Sequence, residues 1–197
     1  MPPTDGGAAA PDEPALVVAA ARQLAEAEGW AAVTHRRLAE RTGVAIDVLY
    51  RHFPDPAALM TAVAVCGFAD LVAALTTARA AADDRRAWPV AVAAYLDFAY
   101  ANPEVYDAML AYTPDLTLGA DRAPSAPQAA FAQLRAALAP LAGGRDPDTF
   151  TEVGWSLLHG VVMLTRGGRL RPQAQELREE MIAAHLLGPP RRAATGG

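Results

Sequence analysis

Apolar residues recur at three- and four-residue intervals along nearly the whole chain. No run of four or more residues bounded by turn signals alternates apolar and polar, so the pattern predicts an all-α fold. Leu16, Ala20, Leu24 and Ala27 mark a first helix that starts near Glu13 and Pro14 and stops at Gly29. Thr34 is suited to N-cap a second helix, which carries Leu38 and Ala39 and stops at Gly43, and a short third helix covers Ile46 to His52. Asp55 followed by Pro56 opens a long fourth helix through Leu59, Val63, Cys66 and Leu71, ending near Ala80. Beyond a charged link at Asp83 to Ala87, helices are predicted over 88–101, 103–112, 127–141, 147–166 and 173–187, with the Pro-, Asp- and Gly-rich stretch 113–127 as a loop. The resulting division is a disordered tail at 1–12, a small three-helix unit at 13–66, a larger helical domain at 67–187 and a second disordered tail at 188–197.

Composition narrows the function classes. A hydrophobic share of 52% supports a sizeable core, while no uninterrupted apolar run approaches the roughly 18 residues of a membrane span. No basic cluster followed by an apolar stretch opens the chain, which argues against a secretory signal and for a cytoplasmic protein with no membrane partner. The single cysteine, Cys66, rules out an intrachain disulfide framework and reads as a small buried side chain. His35, His52, His159 and His185 are scattered without metal-ligand spacing, so neither a metal nor a cofactor is expected. A Gly-rich phosphate loop and a nucleophile with an identifiable base are also lacking, which argues against an enzyme.

The formal net charge of −5 hides a local reversal. Between Thr34 and Phe53 stand Arg36, Arg37, Arg41 and Arg51 against Glu40 and Asp47. Two helices joined by about four residues around Gly43 have the layout of a helix-turn-helix, whose second helix enters a major groove. Leu38, Val44, Val48 and Leu49 would bury the inner face, leaving His35, Arg36, Asp47, Tyr50, Arg51 and His52 outward. Arginine can bind phosphate or grip guanine, and tyrosine can donate to phosphate, so the basic face suits double-stranded DNA.

The segment VTHRRLAERTGVAIDVLYRHF, after a helix ending in EGW, resembles the N-terminal domain of the TetR family of bacterial transcriptional repressors over about residues 14–66. The resemblance implies that Thr34 caps the second helix against phosphate, that Arg36 contacts a base, and that Tyr50 and His52 form the family's Tyr-x-His, with Arg51 between them. Ala45, Ile46, Asp47 and Val48 would begin the recognition helix. Ala45 stands where many members carry a capping serine, Ile46 and Asp47 where lysine and glycine are frequent, and Pro56 where a phosphate-contacting lysine is frequent. Fewer phosphate contacts imply a shallower salt dependence, each phosphate contributing a log-log slope of roughly −0.9.

A second resemblance covers about 87–187, where AYLDFAYANPEVYDAML and GWSLLHGVVML are similar to a TetR subgroup named for a Trp-His-Gly motif, here Trp155, His159 and Gly160. Trp155, His159 and Met163 recur at i, i+4 and i+8 on one helix face, with Gly154, Leu157, Leu158 and Val161 on another, so this helix is expected to be covered on both sides. One side is assigned to a pocket and the other, through Gly154, Leu158 and Val161, to the two-fold partner that the family's dimer implies. Leu177, Met181 and Ala184 would extend that interface. Tyr95, Phe98, Tyr106, Met109 and Phe131 have core spacing and become ligand contacts if a cavity exists, in which case an apolar or aromatic effector is favoured. For His159, a core histidine bonded to a carbonyl and a pocket residue both remain open. The combined expectation is a homodimeric repressor on a palindromic operator, released by a small molecule. A ligand-sequestering dimer with a weakened DNA-binding head is the alternative.

Overall fold

A computed structural model describes residues 12–112 and 125–184. Nine α-helices and three short 3-10 turns account for their regular structure, and no strand is present among them. Carboxylates, hydroxyls and prolines set the starts of the first, second and fourth helices as the sequence predicts. In α1 (Glu13–Glu28) Pro14 lies in the first turn, while α2 (His35–Thr42) is capped by Thr34, whose Oγ1 accepts from the Arg37 amide at 3.3 Å. Gly43 then turns the chain with a φ of 74°, a left-handed conformation that costs a side-chain-bearing residue more than glycine, and α3 (Ile46–His52) follows. Asp55 caps α4 (Pro56–Ala80) by accepting from the Ala58 amide at 2.7 Å. Val17, Ala21, Leu24, Leu38, Val44, Leu49 and Phe53 are buried together and form the core of this three-helix head.

Around α4 pack α5 (Ala87–Ala101), α6 (Pro103–Ala111) and α7 (Ala126–Leu138); α8 (Pro147–Arg166) lies on α7 and α5, and α9 (Gln175–Ala184) on α5. By length and hydropathy α4 could cross a bilayer; here it is the central strut of the larger domain, touching α1, α5, α6 and α7. Two glycines permit close helix crossings. A Cβ on Gly67 would come within 2.6 Å of Val105 Cγ1, so α4 and α6 touch almost backbone to side chain. A Cβ on Gly154 would come within 2.7 Å of Leu138 Cδ1, which seats α8 on α7. The α9 helix is fixed to α5 where the buried Trp88 indole donates to the Ile182 carbonyl at 3.0 Å.

Helix limits follow the sequence pattern except where proline tightens a turn. The seventh helix ends at Leu138 and continues as a 3-10 turn, Ala139–Leu141, because Pro140 cannot donate to the α-ladder. The last helix is preceded by a 3-10 turn at Pro172–Ala174 rather than starting at residue 173. Cys66 is exposed, not buried: the buried arc of α4 runs through Leu59, Val63, Gly67 and Leu71, with Ala64, Phe68 and Leu75 beside it, and Cys66 falls off its edge. The tails at 1–11 and 188–197, most of the 113–127 loop, His185 and Leu187 lie outside the described residues.

Candidate nucleic-acid interface and effector cavity

Exposed side chains of the head converge at α3. Tyr50 is 53% exposed although its ring is held flat against His35, centroids 4.3 Å apart and planes 8° from parallel. His35 is itself fixed, its Nε2–H donating to the Phe53 carbonyl at 2.6 Å, so the first residue of α2 clamps the end of α3. His35 is thus half-buried, with Nε2 bonded and its ring stacked on the exposed Tyr50. Ile46, Asp47, Arg51 and His52 are exposed, as is Ala45, which gives α3 no side-chain cap. Arg36 pairs with Glu40 at 3.1 Å and Arg51 with Asp47 at 3.6 Å, both i, i+4 pairs in solvent whose net worth is small, so either guanidinium can exchange its carboxylate for phosphate. Arg37 does different work. It forms a two-pronged bond to Glu28, at 2.9 and 2.8 Å, which ties α2 to the end of α1 and holds the Glu28 carboxyl below its usual range. Replacing His35 with alanine should leave Tyr50 unstacked and the Phe53 carbonyl unbonded. A loss of about 1 kcal/mol in head stability is expected, read by thermal melting, with weaker DNA binding despite an unchanged outer surface.

The larger domain encloses a narrow cavity between α4, α5, α6, α7 and α8. Its volume is only about 20 Å³, room for about one water molecule. Tyr95, Tyr106, Met109, Phe131 and Trp155, five of the candidate ligand contacts, line it together with Phe68, Leu71, Leu110, Pro127, Ala130 and Leu134. The latter are hidden in the sequence by their core spacing, although Pro127, Ala130, Phe131 and Leu134 fall on one stripe of α7. Phe98 is buried elsewhere in the core, and Met163 is an exposed residue on the outer side of α8; neither lines the cavity.

Hydrogen bonds thread one wall. The Trp155 indole donates to the Tyr95 hydroxyl at 3.0 Å, the Tyr95 and Tyr106 hydroxyls are 2.8 Å apart, and Tyr106 Oη is 2.9 Å from His159 Nδ1. His159 thus sits behind Tyr106 and bonds a phenol rather than a carbonyl. Burial lowers its pKa and Asp107 partly offsets this, which favours the neutral imidazole. Burial pushes Tyr95 up to about 12 and raises Tyr106 further, keeping both phenols protonated.

The α6 helix joins head to cavity. Both Glu26 carboxylate oxygens of α1 accept from its first turn, from the Glu104 amide at 3.2 Å and the Val105 amide at 2.9 Å. The Trp30 indole donates to the Glu104 carbonyl at 3.1 Å, and Arg22 bonds both Asp70 of α4 and, at 2.6 Å, the Asn102 side chain just before α6. A carboxylate at a helix N-terminus answers two of its orphan amides and the positive end of its dipole. Tyr106 and Met109 follow within two turns.

An apolar surface remains on α8 and α9. Val153 and Leu164, with half-buried Leu157 and the open Gly160, share one face of α8, and Leu177 and Met181 stand out from α9. Ala184 is exposed and Val161 half-buried at the flank. Leu158, at 0% exposure, and Gly154, packed on Leu138 and Trp88, point into the protomer and cannot meet a partner. The outward face is thus rotated from the one assigned by periodicity, because α8 is apolar around most of its circumference.

Comparison with known proteins agrees with both halves. The family model described as "Bacterial regulatory proteins, tetR family" matches residues 17–63, and that described as "Tetracyclin repressor-like, C-terminal domain" matches 88–186. No curated protein matches the chain. Among solved structures, a protein with unknown function from Rhodococcus sp. RHA1 is similar at 24% identity and TM-score 0.68, over 91% of this chain and 94% of that one. PfmR, a TetR family transcriptional regulator from Thermus thermophilus, is similar at 20% identity and TM-score 0.57, over 87% and 98%. A single-substitution variant of TetR from Acinetobacter baumannii AYE, in complex with minocycline, is similar at 23% identity and TM-score 0.54, over 85% and 87%. At these identities the likeness is one of fold.

Proposed function

We propose that this chain, which belongs to the TetR family of transcriptional regulators, is a cytoplasmic, non-enzymatic homodimeric repressor that holds a palindromic operator and is released by a small apolar or aromatic effector. Its two heads would read successive major grooves about 34 Å apart, with Tyr50, Arg51, His52 and Arg36 on phosphate and base edges and Ile46 against a thymine methyl. The apolar faces of α8 and α9 would meet their two-fold copies, Val153, Leu157, Gly160, Leu164, Leu177 and Met181 replacing the inward Gly154 and Leu158 in that role.

The observation that carries the reading is the double attachment of α6, whose first turn is held by Glu26 and Trp30 of the head while Tyr106 and Met109 line the cavity. A ligand that fills a cavity of about 20 Å³ must move its walls. Movement of α6 would reach α1 through the clamp, and movement of α4 would reach it through Arg22 and Asp70, changing the spacing of the heads. A coupling of about 1–3 kcal/mol suffices to lower operator affinity roughly 5- to 150-fold.

Fluorescence anisotropy on DNA from upstream of the chain's own gene, with scrambled competitor and a salt series, tests this reading. Tight binding that survives competitor is expected, with a shallow salt slope because Pro56 stands where the family frequently has a phosphate-contacting lysine. A second reading, a sequestering dimer with a weakened head, draws on the pairing of Arg36 and Arg51 with acids of their own helices and on the uncapped start of α3. It requires equal, weak binding on every DNA tested.

A further inference from the structure

Three polar groups on the cavity wall, with His159 behind them, allow only one arrangement of hydrogens in which both phenols donate and accept within the chain. Trp155 can only donate, so Tyr95 Oη accepts from it at 3.0 Å. If the Tyr95 hydrogen then goes to Tyr106, 2.8 Å away, and the Tyr106 hydrogen to His159 Nδ1 at 2.9 Å, the indole and both hydroxyls each have an acceptor and the imidazole carries its proton on Nε2. Both phenols are then saturated, and the cavity behaves as apolar despite its tyrosines. With a proton on Nδ1 the order reverses. His159 donates to Tyr106, Tyr106 donates to Tyr95, and Tyr95 Oη receives two donors while its own hydrogen has no acceptor among the described residues. An orphaned buried hydroxyl costs about 1–3 kcal/mol, which keeps the empty protein in the first arrangement.

A ligand can reverse that preference. None of the described residues lining the cavity is charged, so an acidic ligand finds no counter-charge in the wall itself. His159, one hydroxyl behind the wall and half-buried, is the group beside the cavity that can become a cation and that solvent can supply with a proton. We propose that the Trp155–Tyr95–Tyr106–His159 chain selects for aromatic ligands bearing an acidic hydrogen-bond acceptor, such as a carboxylate, which bind together with one proton on His159 and accept the Tyr95 hydrogen. A proton from water adds to Nδ1, the two hydroxyls rotate, and no bond between heavy atoms changes. The inference rests on the reading of this cavity as the effector site, and names the effector's class.

Other charges do not replace His159. From α6, Tyr106 and Asp107 face it, and Asp107 is already bound at 2.6 and 2.8 Å by Arg166, which shares α8 with His159. From α5 only Tyr95 approaches, through Tyr106, and the Arg135 of α7 is paired with Asp148 at the far end of α8. Burial holds the free imidazole below its usual range, and an anion beside Tyr95 would raise it. Between those two pKa values affinity for an acid rises as pH falls, by at most about tenfold per pH unit for one linked proton.

The test uses two probes with one body, 2-naphthoate and 2-methylnaphthalene, titrated into the intact protein and followed by the indole N–H resonance of Trp155, assigned with Trp155→Phe. Between about pH 8 and about pH 6, on either side of the ordinary histidine value, naphthoate affinity should climb by several-fold or more while methylnaphthalene stays level. His159→Gln, which can still accept from Tyr106, should level the naphthoate profile, and Tyr95→Phe should remove the advantage of naphthoate at low pH. If both probes bind but naphthoate shows no pH dependence, or keeps it in His159→Gln, the selector is refuted and the effector cavity stands. If neither probe shifts the Trp155 resonance at any pH, the effector cavity and the selector fall together.

Discussion

Replacing Leu164 and Met181 with glutamate should leave a folded monomer whose operator affinity is about a thousandfold lower. Both side chains are exposed in the single chain, Leu164 at 41% and Met181 at 44%, so its own core does not depend on them. In the proposed dimer they would lie against a second copy, where an unpaired carboxylate is strongly disfavoured. The loss on DNA follows from linkage rather than contact, since neither residue is near the head. Two joined heads bind the second half-site at a high effective concentration, worth about a hundredfold to ten-thousandfold over one head alone. Sedimentation velocity reads the assembly, circular dichroism shows whether the helices persist, and anisotropy reads the DNA. A variant that stays dimeric would move the interface elsewhere. In the proposed dimer a partner helix could approach closely at Gly160, where an added Cβ would meet nothing within 4 Å.

Glu26→Ala should separate ligand binding from DNA release. The carboxylate bonds two amides of the α6 first turn, and its removal should cost about 1–3 kcal/mol of stability and loosen α6 from α1. The cavity wall is untouched, because Glu26 does not line it, so a cavity ligand should bind with nearly wild-type affinity. Operator release by that ligand should fall from the roughly 5- to 150-fold expected of the wild type to about twofold. The paired measurement is operator affinity with and without saturating ligand. Full release in the variant would assign the coupling to α4 alone, through Arg22 and Asp70.

The residues that can be read from the sequence are those whose partners are near in the chain. Thr34 bonds an amide three residues on, Asp55 likewise, and Gly43 ends a helix by its own φ, so the head is legible almost to the residue. The aromatic wall is legible in part, because Tyr95, Tyr106 and Trp155 are large and polar enough to stand out in apolar helices. The phase of α8 is not. When a helix is apolar nearly all round, periodicity gives its faces but not which one turns inward, and that choice is made by the fit of Gly154 on Leu138. The Glu26 clamp leaves no local trace, since its partners lie 78 and 79 residues away. The bond from His35 to the Phe53 carbonyl is hidden in the same way, since its partner lies 18 residues away.

Selection of bound sequences from a random DNA pool by the purified protein addresses the central claim most directly, because it presumes neither the operator nor the effector. A ligand-releasable two-headed repressor should enrich an inverted repeat whose half-sites are one helical turn apart, about 10 base pairs between centres. The recovered DNA should lose affinity for the Leu164→Glu, Met181→Glu protein. Recovery of no common sequence after repeated rounds, by a protein that is folded and dimeric, would contradict the account.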